Sequence, residues 1–241
     1  MEKYEIVRDD YIGDGDARLY RIRALRDIPR YGVKAGDVGG FIARYENLSQ
    51  TDDAWVTDRA WVFDDAHVSG DAVVRDAARV SGNARVGGAV TVTGNARVCE
   101  NALIGGDAVI FGNAVVSGRA CVGGRARIYG LARCYGRVSI HGNAHIGGDV
   151  HVYGTAYIRG DAKIFAHHDW VYISRVSGAG YKGDAINDIT AYRDVQGRIY
   201  IDSNLLSGPL DSPVVSQWLT GTVLSDVLNA CMAEPVQENS D

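Results

Sequence analysis

Two sets of residues in this chain have the types and spacing to do chemistry. The first is its histidines: His67, His141, His145, His151, His167 and His168. A neutral imidazole is the usual general base for taking a proton from an acceptor hydroxyl or amine. His141, His145 and His151 lie close together in the chain and form the candidate catalytic set. An outward histidine on a repetitive surface is ordinarily just solvated, so these three compete with that plainer reading. The run HHDW at 167–170 has metal-ligand residue types. Adjacent histidines on a strand point apart, however, and a metal site needs three or four converging ligands, so no metal is expected.

The second set is Arg79, Arg97, Arg133, Tyr135, His151 and Tyr153. Guanidinium groups grip carboxylate or phosphate through a flat fork and stack on aromatic rings. Interleaved on one rigid surface, these residues would hold a small anionic, nucleotide-like ligand or an acidic partner. The plainer alternative is a solvated mixed face.

What positions both sets is a repeat of six residues. From Ala54 to Ala162 every sixth residue is Ala, except Val90, Val138 and Val150. Two residues after each comes Val or Ile, with Cys134 as the exception. Two further on, Gly fills 14 of 18 places, the others being Asp58, Asp64, Asp76 and Glu100. No insertion breaks the frame. A short strand points its middle residue inward and its neighbours outward. Gly followed by Asn or Asp then turns the chain, because these residues tolerate left-handed dihedrals. The Ala after the turn faces a tight corner. Three such units close a triangular coil of 18 residues, and coils stack through parallel hydrogen bonds roughly 4.8 Å apart. Proline would delete a ladder donor, and none occurs between Pro29 and Pro209.

The frame reaches upstream, where Val38, Ile42 and Leu48 fall on inward places with Gly39-Gly40 at a turn. The solenoid is therefore expected over 38–166, about seven coils, or a prism roughly 30–35 Å long. A solenoid end exposes core and unpaired strand edges and needs a cap. Residues 1–30 alternate in strand fashion around Gly13-Asp14-Gly15-Asp16, which predicts an N-terminal β-hairpin cap over 1–37. Residues 167–233 predict a small α+β cap. Its parts are a strand at Trp170–Ile173, a hairpin of Ile189–Tyr192 with Arg198–Ile201 around Gln196-Gly197, a helix opened by Ser212-Pro213, and another over Val223–Met232. Residues 234–241 read as a frayed tail.

Composition narrows the function classes. The 241 residues are 46 % hydrophobic and carry a net charge of −5. That share excludes a wholly disordered chain. The charge argues against generic nucleic-acid coating. No apolar stretch is long enough for a membrane span and the start is no signal peptide, so a cytoplasmic protein is expected. Cys99, Cys121, Cys134 and Cys231 contain no CxxC pair and no disulfide framework. Cys134 holds an inward place and reads as a small core hydrophobe, with Cys99 and Cys121 outward.

Residues 18 apart lie above one another, so the faces can be compared. The first carries Trp61 and Phe63 with the arginine set. A second holds Gly87, Gly105 and Gly123 beside Leu103 and Cys121. The third carries Val73, Val109 and Phe111 with Thr57, Thr91 and Thr93. The latter two are flat and weakly charged, and such faces usually bury against something. The first coils are acidic, with Asp52, Asp53, Asp58, Asp64, Asp65, Asp71 and Asp76. Stacked carboxylates cost stability unless solvated or bridged by a cation such as Ca²⁺, and a solvated end is the expectation.

The unit V-x-G-N-A-x resembles the hexapeptide repeat of left-handed parallel β-helices, and the left hand comes from that resemblance. Hexapeptide acyltransferases share the repeat. They are homotrimers that bind acyl-CoA between neighbouring prisms and place a histidine beside a loop extruded from a coil. No such loop interrupts residues 54–165 here. A second group is more similar: uncharacterised β-helix proteins of phages, prophages and enteric bacteria, often labelled transferases. The matching segments are RIRALRDIPRYGVKAGDVGGFI, ENLSQTDDAWV, the long VxGNA run and ITAYRDVQGRIYID. The resemblance implies a phage or prophage origin, a host protein or small anionic ligand as partner, and a counter-defence role. The leading expectation is a non-catalytic, oligomeric binding or scaffold protein, as a homotrimer. One alternative is an acyltransferase using acetyl-CoA or another acyl-CoA and a histidine base. Another is a structural virion component.

Overall fold

The computed structural model describes residues 2–13, 18–154 and 156–164. In the C-terminal part it describes 171–174, 178–179, 185–186, 189–193, 199–203, 207–209 and 211–213.

Each six-residue unit becomes a two-residue strand and a corner. In the strand Arg79–Val80 the arginine is exposed and the valine buried. The Arg79 N–H donates to the Ala96 carbonyl and the Ser81 N–H to that of Val98, both at 2.9 Å, joining one coil to the next. The result is a parallel β-solenoid whose sheets have nine, six and seven strands. The first face bears Trp61, Arg79, Arg97, Val115, Arg133 and His151 in register. The second bears His67, Arg85, Leu103, Cys121, Ser139 and Tyr157. The third runs from Trp55 through Val73, Thr91, Val109, Arg127 and His145 to Lys163.

The inward Val, Ile and Ala columns form one continuous core, with Cys134 inside it and fully buried. Burial pushes the Cys134 thiol up to about 12. Cys99 and Cys121 stand outward and half-buried.

The corners require left-handed backbone. Gly106 has φ +67°, and a Cβ there would lie 2.7 Å from the Gly124 carbonyl oxygen of the next coil. The four corners without glycine are also left-handed, with φ between 54° and 60° at Asp58, Asp64, Asp76 and Glu100. Each of these carboxylates accepts the N–H of the corner residue 18 positions on, at Asp76, Gly82, Gly94 and Gly118. The strained residue thereby meets a donor that the strand ladder leaves over.

The carboxylates of the acidic end stay largely exposed, as expected of a solvated end, but they are also engaged. Asp52 accepts the Gly70 N–H at 2.6 Å. The cap supplies cations as well, Lys3 to Asp52, Arg26 to Asp53 and Arg30 to Asp71, and Arg44 of the first coil pairs with Asp65. The carboxylates attach the cap.

That cap is a hairpin, Tyr4–Ile12 antiparallel to Leu19–Ala24, as expected. The strand Val38–Ile42 pairs antiparallel with Leu19–Ala24 and parallel with Trp61–Val62, so the cap extends the first sheet without a break. Tyr4 is fully buried and donates its hydroxyl to the Leu48 carbonyl at 2.8 Å. Two expectations fail at the junction. Val38 is 58 % exposed rather than inward, and Gly39-Gly40 lie within the strand rather than at a turn. The glycines are needed for proximity: a Cβ on Gly39 would stand 2.5 Å from the Val56 carbonyl and 2.9 Å from the Trp55 ring.

In the C-terminal part, Val171–Ser174, Ile189–Arg193, Ile199–Ser203 and Ser207–Pro209 form an antiparallel sheet. The strand near 170–173 and the 189–201 hairpin are thus present. The sheet lies against Tyr157–Ile158, the last rung of the second face. The pair His167-His168, the expected Val223–Met232 helix, the tail and all but the first residues of the Ser212-Pro213 helix fall outside the described residues, as does Cys231. Among the described residues no helix is long and apolar enough to cross a membrane.

Candidate functional site

Strand pairing sets the side chains of the first face in one unbroken row. Arg21 of the cap is opposite Phe41, Phe41 opposite Trp61, and Trp61 opposite Arg79, with Arg97 next. Arg79 lays its guanidinium 4.1 Å from the centre of the Trp61 ring, and Arg21 lies at the same distance over Phe41. Two aromatic rungs are thus flanked by two stacked arginines.

Beside this row is a recess of about 450 Å³ lined by Ile12, Arg21, Phe41, Arg59, Trp61, Ala77, Arg79 and Asn95. Its shape follows from the corner column. Arg59, Ala77 and Asn95 succeed one another there, and the small Ala77 leaves a notch between two longer neighbours. Arg21 is fixed by the Gly39 and Asp58 carbonyls and by Asp10. Arg59 and Arg79 are exposed, and neither has an ion pair among the described residues. The recess thus presents two uncompensated guanidinium groups beside an indole, on a rigid sheet. Such a site favours an anion carrying a flat ring.

The rest of the predicted ligand set stands further up the same face. Arg133 pairs with His151, three rungs from Arg79, or about 14 Å at the parallel strand spacing. Tyr135 stacks on Tyr153 with ring centres 5.7 Å apart and planes at 14°, and meets His151 edge-on at 6.2 Å. The structure thus brings all six residues to one face but in two groups, with Val115 and Ser117 between them. Arg97 continues the lower group. Sequence reading missed Arg21, Phe41 and Arg59. Arg21 and Phe41 arrive through the irregular register of the cap, which has no period to read. Arg59 sits at a corner place normally held by Asn or Asp, and that departure was the available signal.

The three candidate histidines do not converge. His151 is on the first face, His141 on the second and His145 on the third. His141 holds its Nε2 2.9 Å from the Ser139 hydroxyl and covers Gly123, where a Cβ would meet its ring. His145 lies between Arg127 and Lys163; burial first and then those two cations lower its pKa, keeping the imidazole neutral. His67 contacts the Glu46 carbonyl at 2.6 Å.

The residues expected on the other two faces stand there, but those faces also carry exposed cations, Arg85 on the second and Arg127 and Lys163 on the third. The glycine column Gly87, Gly105, Gly123 makes a shallow trough of about 390 Å³ on the second face, beside Leu103 and Cys121. On the third, Phe111 and Tyr129 stack at 4.8 Å, and Tyr129 covers Gly147.

The fold and the site together define a capped parallel β-solenoid with an arginine–aromatic face. No protein-family model matches the chain, and no curated protein matches it significantly.

Proposed function

We propose that this chain is a non-catalytic binding protein whose first face takes a small anionic, nucleotide-like ligand in the Arg21–Arg59–Arg79 recess. The observation that carries this reading is Arg79 held 4.1 Å over the Trp61 ring with Arg59 beside it and, among the described residues, no carboxylate paired to either. A guanidinium stacked on a ring keeps its N–H edge for a phosphate or carboxylate, and the indole offers its remaining surface to a base. Little ordering is required, because the sheet already holds these groups in place. The described residues that line the recess offer guanidinium, aromatic and amide groups, which suit holding a ligand. The proposal keeps the self-association expected of the repeat, as a homotrimer packed through the second or third face. Leu103, 52 % exposed beside the glycine trough, supports that part.

Thermal-shift and calorimetric titration with AMP, ATP and acetyl-CoA test the binding claim. Nucleotides are expected to raise the melting temperature, and Trp61→Ala or Arg79→Ala to abolish the shift. Acetyl-CoA itself contains a nucleotide, so the variants decide. Stabilisation by acetyl-CoA that survives both variants and disappears in His145→Ala or His151→Ala would replace this reading with the acyltransferase one. Light scattering tests the assembly, and a stable monomer would remove it.

A further inference from the structure

The acidic residues of the solenoid are distributed in a way that net charge hides. Every Asp and Glu between residues 52 and 161 is in a corner or bend, and none stands on a face. Many are already engaged, by cap cations or by corner N–H groups. All formal charges on the flat faces are therefore positive. The two halves also differ. Residues 108–164 hold seven Arg and Lys against Asp149 and Asp161 alone.

Three of these seven, Arg119, Arg133 and Arg137, stand on the upper part of the first face or at its edge. Arg119 and Arg137 occupy the same corner column on consecutive coils, joined by the Arg119 N–H to the Gly136 carbonyl. Lower in that column Asn83 and Asn101 form an amide pair. Two arginines stacked one rung apart repel each other, and both are exposed with no ion pair among the described residues. Arg133 and the Tyr135–Tyr153 stack adjoin them. The upper group thus repeats the composition of the lower recess: uncompensated arginines beside aromatic rings. The two lie at opposite edges of one flat face, about five rungs or 24 Å from Trp61 to Tyr153, with Arg97 on the oblique line between.

We infer that the first face binds single-stranded nucleic acid as a strip, with the lower recess and the Tyr135–Tyr153–Arg119–Arg137 group as its two anchor points. This rests on the nucleotide reading of the lower recess and extends it. A small ligand occupies one group, whereas a chain of phosphates and flat bases satisfies both at once. Alternating cationic and stacking groups along a path are what single strands require, without base-specific contacts. The other two faces also carry cations, but the first face alone sets arginines beside aromatic rings at both of its edges.

Fluorescence anisotropy with thymidine monophosphate and labelled oligothymidylates of two, four and eight nucleotides tests the inference on the full chain. Affinity is expected to rise about tenfold or more from monomer to octamer, as the second anchor engages. The octamer affinity should fall with salt with a log–log slope of about −2 to −3, as for three or four phosphate contacts. The double variant Arg119→Ala/Arg137→Ala should weaken the octamer by about tenfold while melting like the parent. Equal affinity for monomer and octamer overturns the strip and leaves the recess standing. An octamer unaffected by the double variant also overturns it. Octamer binding without monomer binding upholds the strip and removes the small-ligand reading. Binding of neither removes both.

Discussion

Trp61 and Arg79 are direct neighbours on consecutive rungs of the first face, and the guanidinium lies 4.1 Å from the centre of the indole ring. Neither residue is placed by a loop. Each sits at an outward position of a two-residue strand whose partner residue, Val62 or Val80, is locked in the core. Their geometry is therefore as rigid as the solenoid.

This geometry separates stacking from charge. Arg79→Lys keeps the charge but loses the flat fork and most of the ring contact. It is expected to weaken nucleotide binding about tenfold, close to the effect of Arg79→Ala, with an unchanged melting temperature. Calorimetric titration measures it. A lysine variant that binds like the parent would show that Arg79 contributes charge alone.

The corners predict a stability difference. Gly106→Val forces a β-branched residue to φ near +67° and drives its Cβ against the Gly124 carbonyl. A loss of about 3 kcal/mol or more is expected, from strain and overpacking together. Denaturant unfolding checks this. Wild-type stability in the variant would contradict the corner geometry.

Asp76 carries a pH signature. Hydrogen bonds from the Thr93 hydroxyl and the Gly94 N–H hold its carboxyl below the ordinary value of 3.8. Because the folded-state pKa is depressed, its contribution is present above 3.8 and is lost as pH falls through the folded value. Asp76→Asn should therefore be less stable than the parent at pH 7, and the gap should close under acid. Unfolding midpoints between pH 7 and pH 2 provide the measurement.

Lys3 predicts the opposite limb. Its ammonium is buried, donates to the Ala54 carbonyl at 2.7 Å and pairs with Asp52. Burial lowers its pKa from 10.5 to about 8, against the pull of Asp52. Between these values the unfolded chain binds more protons than the folded one, so the Lys3 contribution to stability rises with pH from about 8 to 10.5. That rise should be missing in Lys3→Met.

The acidic end gives a metal test. Its carboxylates are engaged by Lys3, Arg26, Arg30, Arg44 and corner N–H groups. Neither Ca²⁺ nor a chelator should move the melting temperature. High salt should loosen the cap instead, because exposed ion pairs are screened.

By itself the sequence determined the solenoid, its register and the membership of each face. A six-residue period without insertions leaves a single alignment of coils, so the side of the prism on which Arg79, Arg133 or His145 stands follows from counting by 18. The same counting separates His141, His145 and His151 onto three faces. The tertiary structure alone decided what happens where the period stops. The cap's antiparallel register brings Arg21 and Phe41 into the row of Trp61, pushes Val38 out and threads Gly39-Gly40 through a strand. It also makes the exposed carboxylates of the acidic coils an attachment surface for the cap. Periodic packing is local and repeats itself, so it can be read along the chain. A cap is a contact between segments distant in sequence, with pairing set by shape and charge found only when both are folded.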